Sequence, residues 1–241
     1  MHTLEQPTFD LARFNAAALA QLGAGEPVAV RAHRAAAFEL FNALPVPAAR
    51  DEEWRHSPAK LFPLADFQLA VPPRATSAAV TSDWQNDFDA VIEIGDETFS
   101  IQNRSTSLEI LPLAEALAAL PVTAPQHKRK FAALGQAFWT AGFFVRARAG
   151  APARLLVNWR FSASGKLYVP RLFVSVEPSA HLTLVERFQG LEKETTGFSK
   201  DWKVSTGDGH DGAWPSKIDY MLFGRRAPAN RNFAGGFPAR K

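Results

Sequence analysis

At Phe143 the hydrophobic rhythm of the chain changes from a helical period to a period of two, and the alternation continues to Gly190. The segments FFVRARA (143–149), ARLLVNWRF (153–161), KLYVPRLFVSVEP (166–178) and HLTLVERFQG (181–190) are rich in β-branched and aromatic residues. Gly, Pro and Ser turns separate them at spacings of roughly ten to fifteen residues, which predicts an all-β second half built of short strands. Side chains on a strand point alternately to opposite faces, so each apolar face needs a second layer to cover it. Spacing alone admits both a β-sandwich and a parallel β-helix, because each stacks short strands joined by turns.

The first half reads as α-rich. LARFNAAALAQL (11–22) sets Leu11, Phe14, Ala18, Leu19 and Leu22 at helical spacing, with Asp10 as the expected N-cap and Gly23 as the stop. A second helix is expected from Pro27 through VAVRAHRAAAFELFNAL, ended by Pro45 and Pro47, with Val30, Phe38, Phe41 and Leu44 packing on the first. VPPRATSAAVTS (71–82) marks a loop, and DAVIEIGDETFSIQ (89–102) predicts a β-hairpin about its Gly-Asp pair, with strands at Val91–Ile94 and Thr98–Ile101. SLEILPLAEALAAL (107–120) supplies a short strand and a short helix. HKRKFAALGQAFWTAGFF (127–144) puts Phe131, Leu134, Phe138 and Trp139 on one helical face, with Gly142 expected to end that helix.

Charge and composition narrow the function classes. The net charge is +3, but Arg225, Arg226, Arg231, Arg240 and Lys241 fall after Tyr220, where there is no acid. Positions 1 to 219 then hold 22 basic and 24 acidic residues, a net charge of −2. The body is not basic, so no nucleic-acid partner is expected. There is no cysteine, hence no disulfide, thiolate ligand or cysteine nucleophile, a composition suited to a reducing compartment. The first residues, MHTLEQPTFDLARF, lack an apolar signal core, and apolar runs elsewhere fall short of the roughly 20 residues of a membrane helix. The expectation is a cytoplasmic protein with no membrane partner.

The stretch ARDEEWRHSPAKL (49–61) places Trp54 among charges just after two helix-ending prolines. Trp54 can anchor a helix start on an apolar surface while Arg50, Asp51, Glu52 and Glu53 stay solvated, the acids favouring the positive helix end. That reading makes it a docking element rather than an active site, with direct partner contact by Arg50 or Arg55 as the lesser alternative. The stretch, from Arg50 to Ser57 and on to Leu61, resembles the "P..K.E.WKYT.L" opening segment of the SufB/SufD family of iron-sulfur cluster assembly scaffolds, SufD most closely. FAALGQAFWTAGFFV (131–145) is similar to that family's "F.ALN.AF...G.FV" helix, and RLFVSVEPSAHLTLVERFQG (171–190) to its "R.LI.VE.GA.L.VVE...G" coil. The blocks stand in family order over roughly residues 35 to 190.

The resemblance implies an α+β protein: an N-terminal helical domain with a small β-hairpin (1–142), the first coils of a right-handed parallel β-helix (143–219), truncated, and an irregular basic tail (220–241). It implies a scaffold of the SUF system that pairs with a SufB-like subunit through the β-helices, the iron-sulfur cluster being handled by the complex and ATP bound by a SufC-like ATPase. The chain is shorter than a complete member by nearly half, so neither the SufC-docking helices nor the family's late functional positions have matching residues here. The ending GRRAPANRNFAGGFPARK has neither alternation nor helical period, which suggests a truncated or frame-shifted product.

The residues themselves assign no catalytic, cofactor-binding or metal site, and the chain is not expected to be an enzyme. The six histidines, at 2, 33, 56, 127, 181 and 210, form no close pair with metal-ligand spacing. GDGHDG (207–212) lacks the alternating acids and closing Glu of an EF-hand, and no phosphate-cradling glycine motif follows a strand. Ser57, Ser162 and Ser179 lack a GxSxG context. The alternative function is a small-molecule or carbohydrate-binding β-sandwich with a helical cap, in which Trp159, Tyr168 and Phe173 line a stacking surface.

Overall fold

The computed structural model describes residues 10–48, 50–51, 54, 64–77, 85–119, 129–190, 197–206 and 220–223. The alternating half forms β6 (Ala141–Ala147), β7 (Ala153–Phe161), β8 (Lys166–Tyr168), β9 (Pro170–Val176) and β10 (Leu182–Gly190), followed by β11 (Gly197–Thr206) and β12 (Tyr220–Phe223). Before them come β1 (Gln68–Leu69), β2 (Arg74–Ala75), the hairpin β3 (Ala90–Ile94) and β4 (Thr98–Asn103), and β5 (Leu108–Pro112). The architecture is α+β, with mixed sheets.

Among the described residues the strands make two sheets. One follows the order β1-β8-β11-β9-β6-β5, with β12 added antiparallel to β11; the other follows β10-β7-β3-β4-β2. The strands of the alternating half pair in parallel at a nearly constant distance along the chain. Ala141 pairs with Pro170 and Ala153 with Leu182, each 29 residues on. Leu167 pairs with Gly197 and Arg171 with Asp201, each 30 residues on. The hairpin continues this body, since β3 runs parallel to β7, while β5 closes the other sheet antiparallel to β6.

The inward residues of both sheets meet in one core. Phe143 and Val145 of β6, Leu172 and Val174 of β9, Leu155, Val157 and Trp159 of β7, and Ile92 and Ile94 of β3 all belong to it. The outward face of the larger sheet carries the helices. Gly142 is an outward position of β6 against α3 (Leu113–Ala119), where a Cβ would stand 2.7 Å from Leu113 Cδ2 and 2.9 Å from its Cβ. The absence of a side chain at residue 142 therefore sets how closely helix and sheet approach.

The helical layer has its own core. α2 (Val28–Ala43) buries Val30, His33, Arg34, Ala37 and Phe41, a single face at helical spacing. It packs chiefly on α4 (Lys130–Phe138) rather than on the first helix. Phe14, Phe38 and Phe41 meet the Phe138 ring edge-on at 5.2, 5.7 and 6.3 Å. α1 (Ala16–Leu22) starts five residues later than its apolar spacing predicts. Asn15 holds an extended backbone and its side chain accepts from the Ala18 amide, while Asp10 caps a preceding turn through the Ala12 amide. Gly142 does not end α4: the helix stops at Phe138, Trp139 leaves it, and Gly142 lies within β6.

Candidate functional site

The five-stranded sheet ends, among the described residues, at β10. All nine residues of β10 pair with β7 in parallel, and among the described residues no strand pairs with its other edge, where alternate residues direct their backbone donors and acceptors. Such a row is a template for another strand. Val185 and Phe188, both on β10, are each 37 % exposed and rank among the exposed large apolar side chains. Phe188 stacks on Trp159 at 6.2 Å with the planes 11° apart, and the Trp159 indole donates to Glu186 Oε1 at 2.9 Å. The edge strand is thus nine residues long, and Glu186 and Phe188 are anchored to Trp159 of its neighbour β7, the qualities of a preformed docking strand.

Elsewhere the polar groups knit the body together. Asp96, in the β3–β4 turn, accepts from the amides of Ser162 and Ala163, from the Ser162 hydroxyl and from the Tyr168 hydroxyl. Partial burial by itself would raise the Asp96 pKa, but these hydrogen bonds outweigh it and hold the carboxyl below its ordinary value. Burial and the bond to Asp96 push the Tyr168 phenol upward. Arg34, 1 % exposed, pairs with Glu26 at 2.7 Å, donates to the Ala137 and Trp139 carbonyls at 2.8 and 3.0 Å and lies 3.8 Å over the Trp139 ring. Burial lowers its pKa, countered by Glu26. Both clusters join segments distant along the chain.

The residues considered for chemistry do not converge. His33 is buried on α2 and His181 is exposed before β10, while His2, His56, His127 and His210 lie outside the described residues. Among the described residues no three His, Asp or Glu side chains are grouped to hold a metal ion. Ser162 is bonded to Asp96, Ser179 sits in a turn with φ of 63°, and Ser57 lies outside the described residues. Trp159 and Tyr168 point into the core between the sheets, whereas Phe173 lies on the opposite face beside Arg171, so the three share no stacking surface. Arg50 is exposed; Arg55, GDGHDG and the ending after Phe223 lie outside the described residues. Among the described residues no helix is long and apolar enough to cross a membrane.

The polar residues that matter most, Asp96, Arg34 and Arg171, carried one usable sign in the sequence: Asp96 follows a glycine in a predicted hairpin turn. No family model, curated protein or solved structure matches this chain.

Proposed function

We propose that this chain is a SufD-like scaffold subunit of iron-sulfur cluster assembly, cytoplasmic and architectural rather than catalytic. It pairs with a SufB-like subunit through the β10 edge, and a SufC-like ATPase supplies ATP turnover in the complex. On this reading β6 to β11 are successive coils of a right-handed parallel β-helix. The observation that carries it is the 29 to 30 residue step between the parallel partners among β6 to β11, which is the repeat expected when a chain winds and stacks on itself. Two of the family-like blocks fall on this frame: one is α4 leading into β6, the other β9 turning into β10. In the third, Trp54 packs on the helical core, as a docking element would.

The edge also has the chemistry for pairing. Backbone groups give affinity to an added strand, and Val185 and Phe188 give it apolar contact. The test is co-expression with a SufB-like and a SufC-like protein followed by affinity capture. Retention of the SufB-like subunit is expected, and it should weaken on Val185→Lys, which leaves the backbone pairing of β10 with β7 in place. Failure to retain a SufB-like protein under conditions where a full-length relative does so would overturn the proposal.

A further inference from the structure

We infer that Asn103 and Pro112 close the β5 edge of the seven-stranded sheet to strand addition, so that this end of the body does not pair with another chain. β5 is the last strand of its sheet among the described residues, and its one described strand partner is β6. In an antiparallel pair the strands exchange hydrogen bonds at every second residue, and the residues between direct their backbone groups to the opposite side. The Arg148 amide donates to the Ser107 carbonyl at 2.8 Å, and the register pairs Glu109 with Arg146 and Leu111 with Phe144. Ser107, Glu109 and Leu111 are therefore the residues turned toward β6. The Glu177 amide donates to the Ala147 carbonyl at 2.9 Å, which turns Ala147 toward β9 and its partner Leu108 toward the open side. An incoming strand would meet Leu108, Ile110 and Pro112.

Two of those three cannot serve it. Pro112 has no amide hydrogen, and α3 begins at the next residue. The Leu108 carbonyl accepts from Asn103 Nδ2 at 2.8 Å, while Asn103 Oδ1 accepts from the Ser105 amide at 3.0 Å, so both ends of the side-chain amide are fixed. Asn103 is the last residue of β4, in the other sheet, and its side chain crosses the corner where the chain passes from one sheet to the next. Ile110 is the one residue of the three that keeps both a donor and an acceptor on the open side, and a single residue does not make a ladder. Without the seal this edge would be adhesive. Leu108 and Ile110 pack in the core between the sheets, and Glu109, the one charge of the strand, is held by Arg148 at 2.7 Å. On the scaffold reading, pairing is thereby directed away from β5.

The test places Asn103→Ala and Pro112→Val in a full chain that also carries Val185→Lys, so that the β10 edge does not answer for the result. Light scattering over a concentration series should show this chain associating more strongly than Val185→Lys alone, its apparent mass approaching about twice that of the monomer as two opened edges pair. Circular dichroism should show the same strand content in both. Hydrogen exchange of the parent, which needs no variant, should show the Ile110 amide exchanging at least about tenfold faster than those of Glu109 and Leu111, and in the associated variant that amide should gain protection. A variant that associates only because it has unfolded loses the parent's circular dichroism, and the exchange of the parent then decides. No partner protein enters either measurement, so the outcome is separate from that of the capture with a SufB-like subunit. A folded variant that associates no more than Val185→Lys alone, or an Ile110 amide in the parent as protected as its neighbours, would each overturn the seal.

Discussion

The Trp54 ring lies 5.0 Å from that of Phe131, centroid to centroid, with the planes tilted by 36°. Phe131 opens the buried face of α4, so one aromatic from the charged segment fixes where that segment meets the helical layer. The Trp54 amide closes a turn on the Asp51 carbonyl at 2.8 Å, and Asp51 in turn accepts from the Ala48 amide at 2.8 Å. Trp54→Ala should destabilise the protein by about 2 kcal/mol, less than a fully buried Trp because the ring is only half-buried. Urea unfolding followed by circular dichroism measures it, and Trp54→Phe should recover most of the loss.

Gly142→Ala should cost about 2 kcal/mol, because the new methyl would overlap Leu113 in a packed contact between helix and sheet. Leu113 is fully buried, so Leu113→Ala is costly by itself; it removes the overlap with Cδ2 but keeps the Cβ at 2.9 Å, so it relieves the contact in part. The double variant should therefore be more stable than the sum of the single losses predicts, and a double-mutant cycle by urea denaturation gives the coupling directly.

Asp96 predicts an acid limb in the stability curve. Its carboxyl is held below the ordinary value, so its contribution is complete above the open-chain pKa of about 3.9 and disappears as pH falls through the native one. Asp96→Asn removes that titration and weakens the grip on the Ser162 and Ala163 amides. The gap in melting temperature between parent and variant should be largest at neutral pH and should close from about pH 5 downward. Tyr168→Phe should show a smaller gap with the same dependence, since it removes one donor and leaves the rest.

Arg34→Met should destabilise by about 3 kcal/mol or more. It leaves the Glu26 carboxylate and the Ala137 and Trp139 carbonyls without the guanidinium that joins them. Arg34→Lys keeps the charge but not the planar fork or the stacking on Trp139, and it should recover only part of the loss. Chemical denaturation of the two variants side by side distinguishes charge from geometry.

How much of this was legible in the sequence follows the range of each cause. The hairpin was readable because its Gly-Asp turn and its alternation are local, and α2 because Pro27, Pro45 and Pro47 bracket an Ala-rich run. The start of α1 was misread because Asp10 and Asn15 are both competent caps, and the sequence does not show which one the backbone uses. Gly142 was read as a helix stop since its true constraint is Leu113, far away along the chain. Nothing in the sequence marks Arg34 and Arg171 as buried; burial of a charge is fixed by partners that only the fold supplies. Parallel and antiparallel strands share the same two-residue period, so the direction of pairing, on which the candidate interface rests, was beyond reach of pattern alone.

The β10 edge yields the prediction that links fold to function. Val185 points outward and is partly exposed, beside a backbone row that the described strands leave open. An edge of this kind pairs with whatever strand is offered, including a second copy, so the parent should form oligomers whose size grows with concentration. A Lys at such a position blocks pairing by demanding water at the edge, a device natural sheets use for the same purpose. Val185→Lys should leave the stability within about 0.5 kcal/mol, because little buried area is lost. It should shift light scattering toward monomer, and it should weaken capture of a SufB-like partner in the same assay. A variant that becomes monomeric yet still retains that partner would place the pairing surface elsewhere on the body. If instead the parent is already a monomer at high concentration, the β10 edge is not available for pairing.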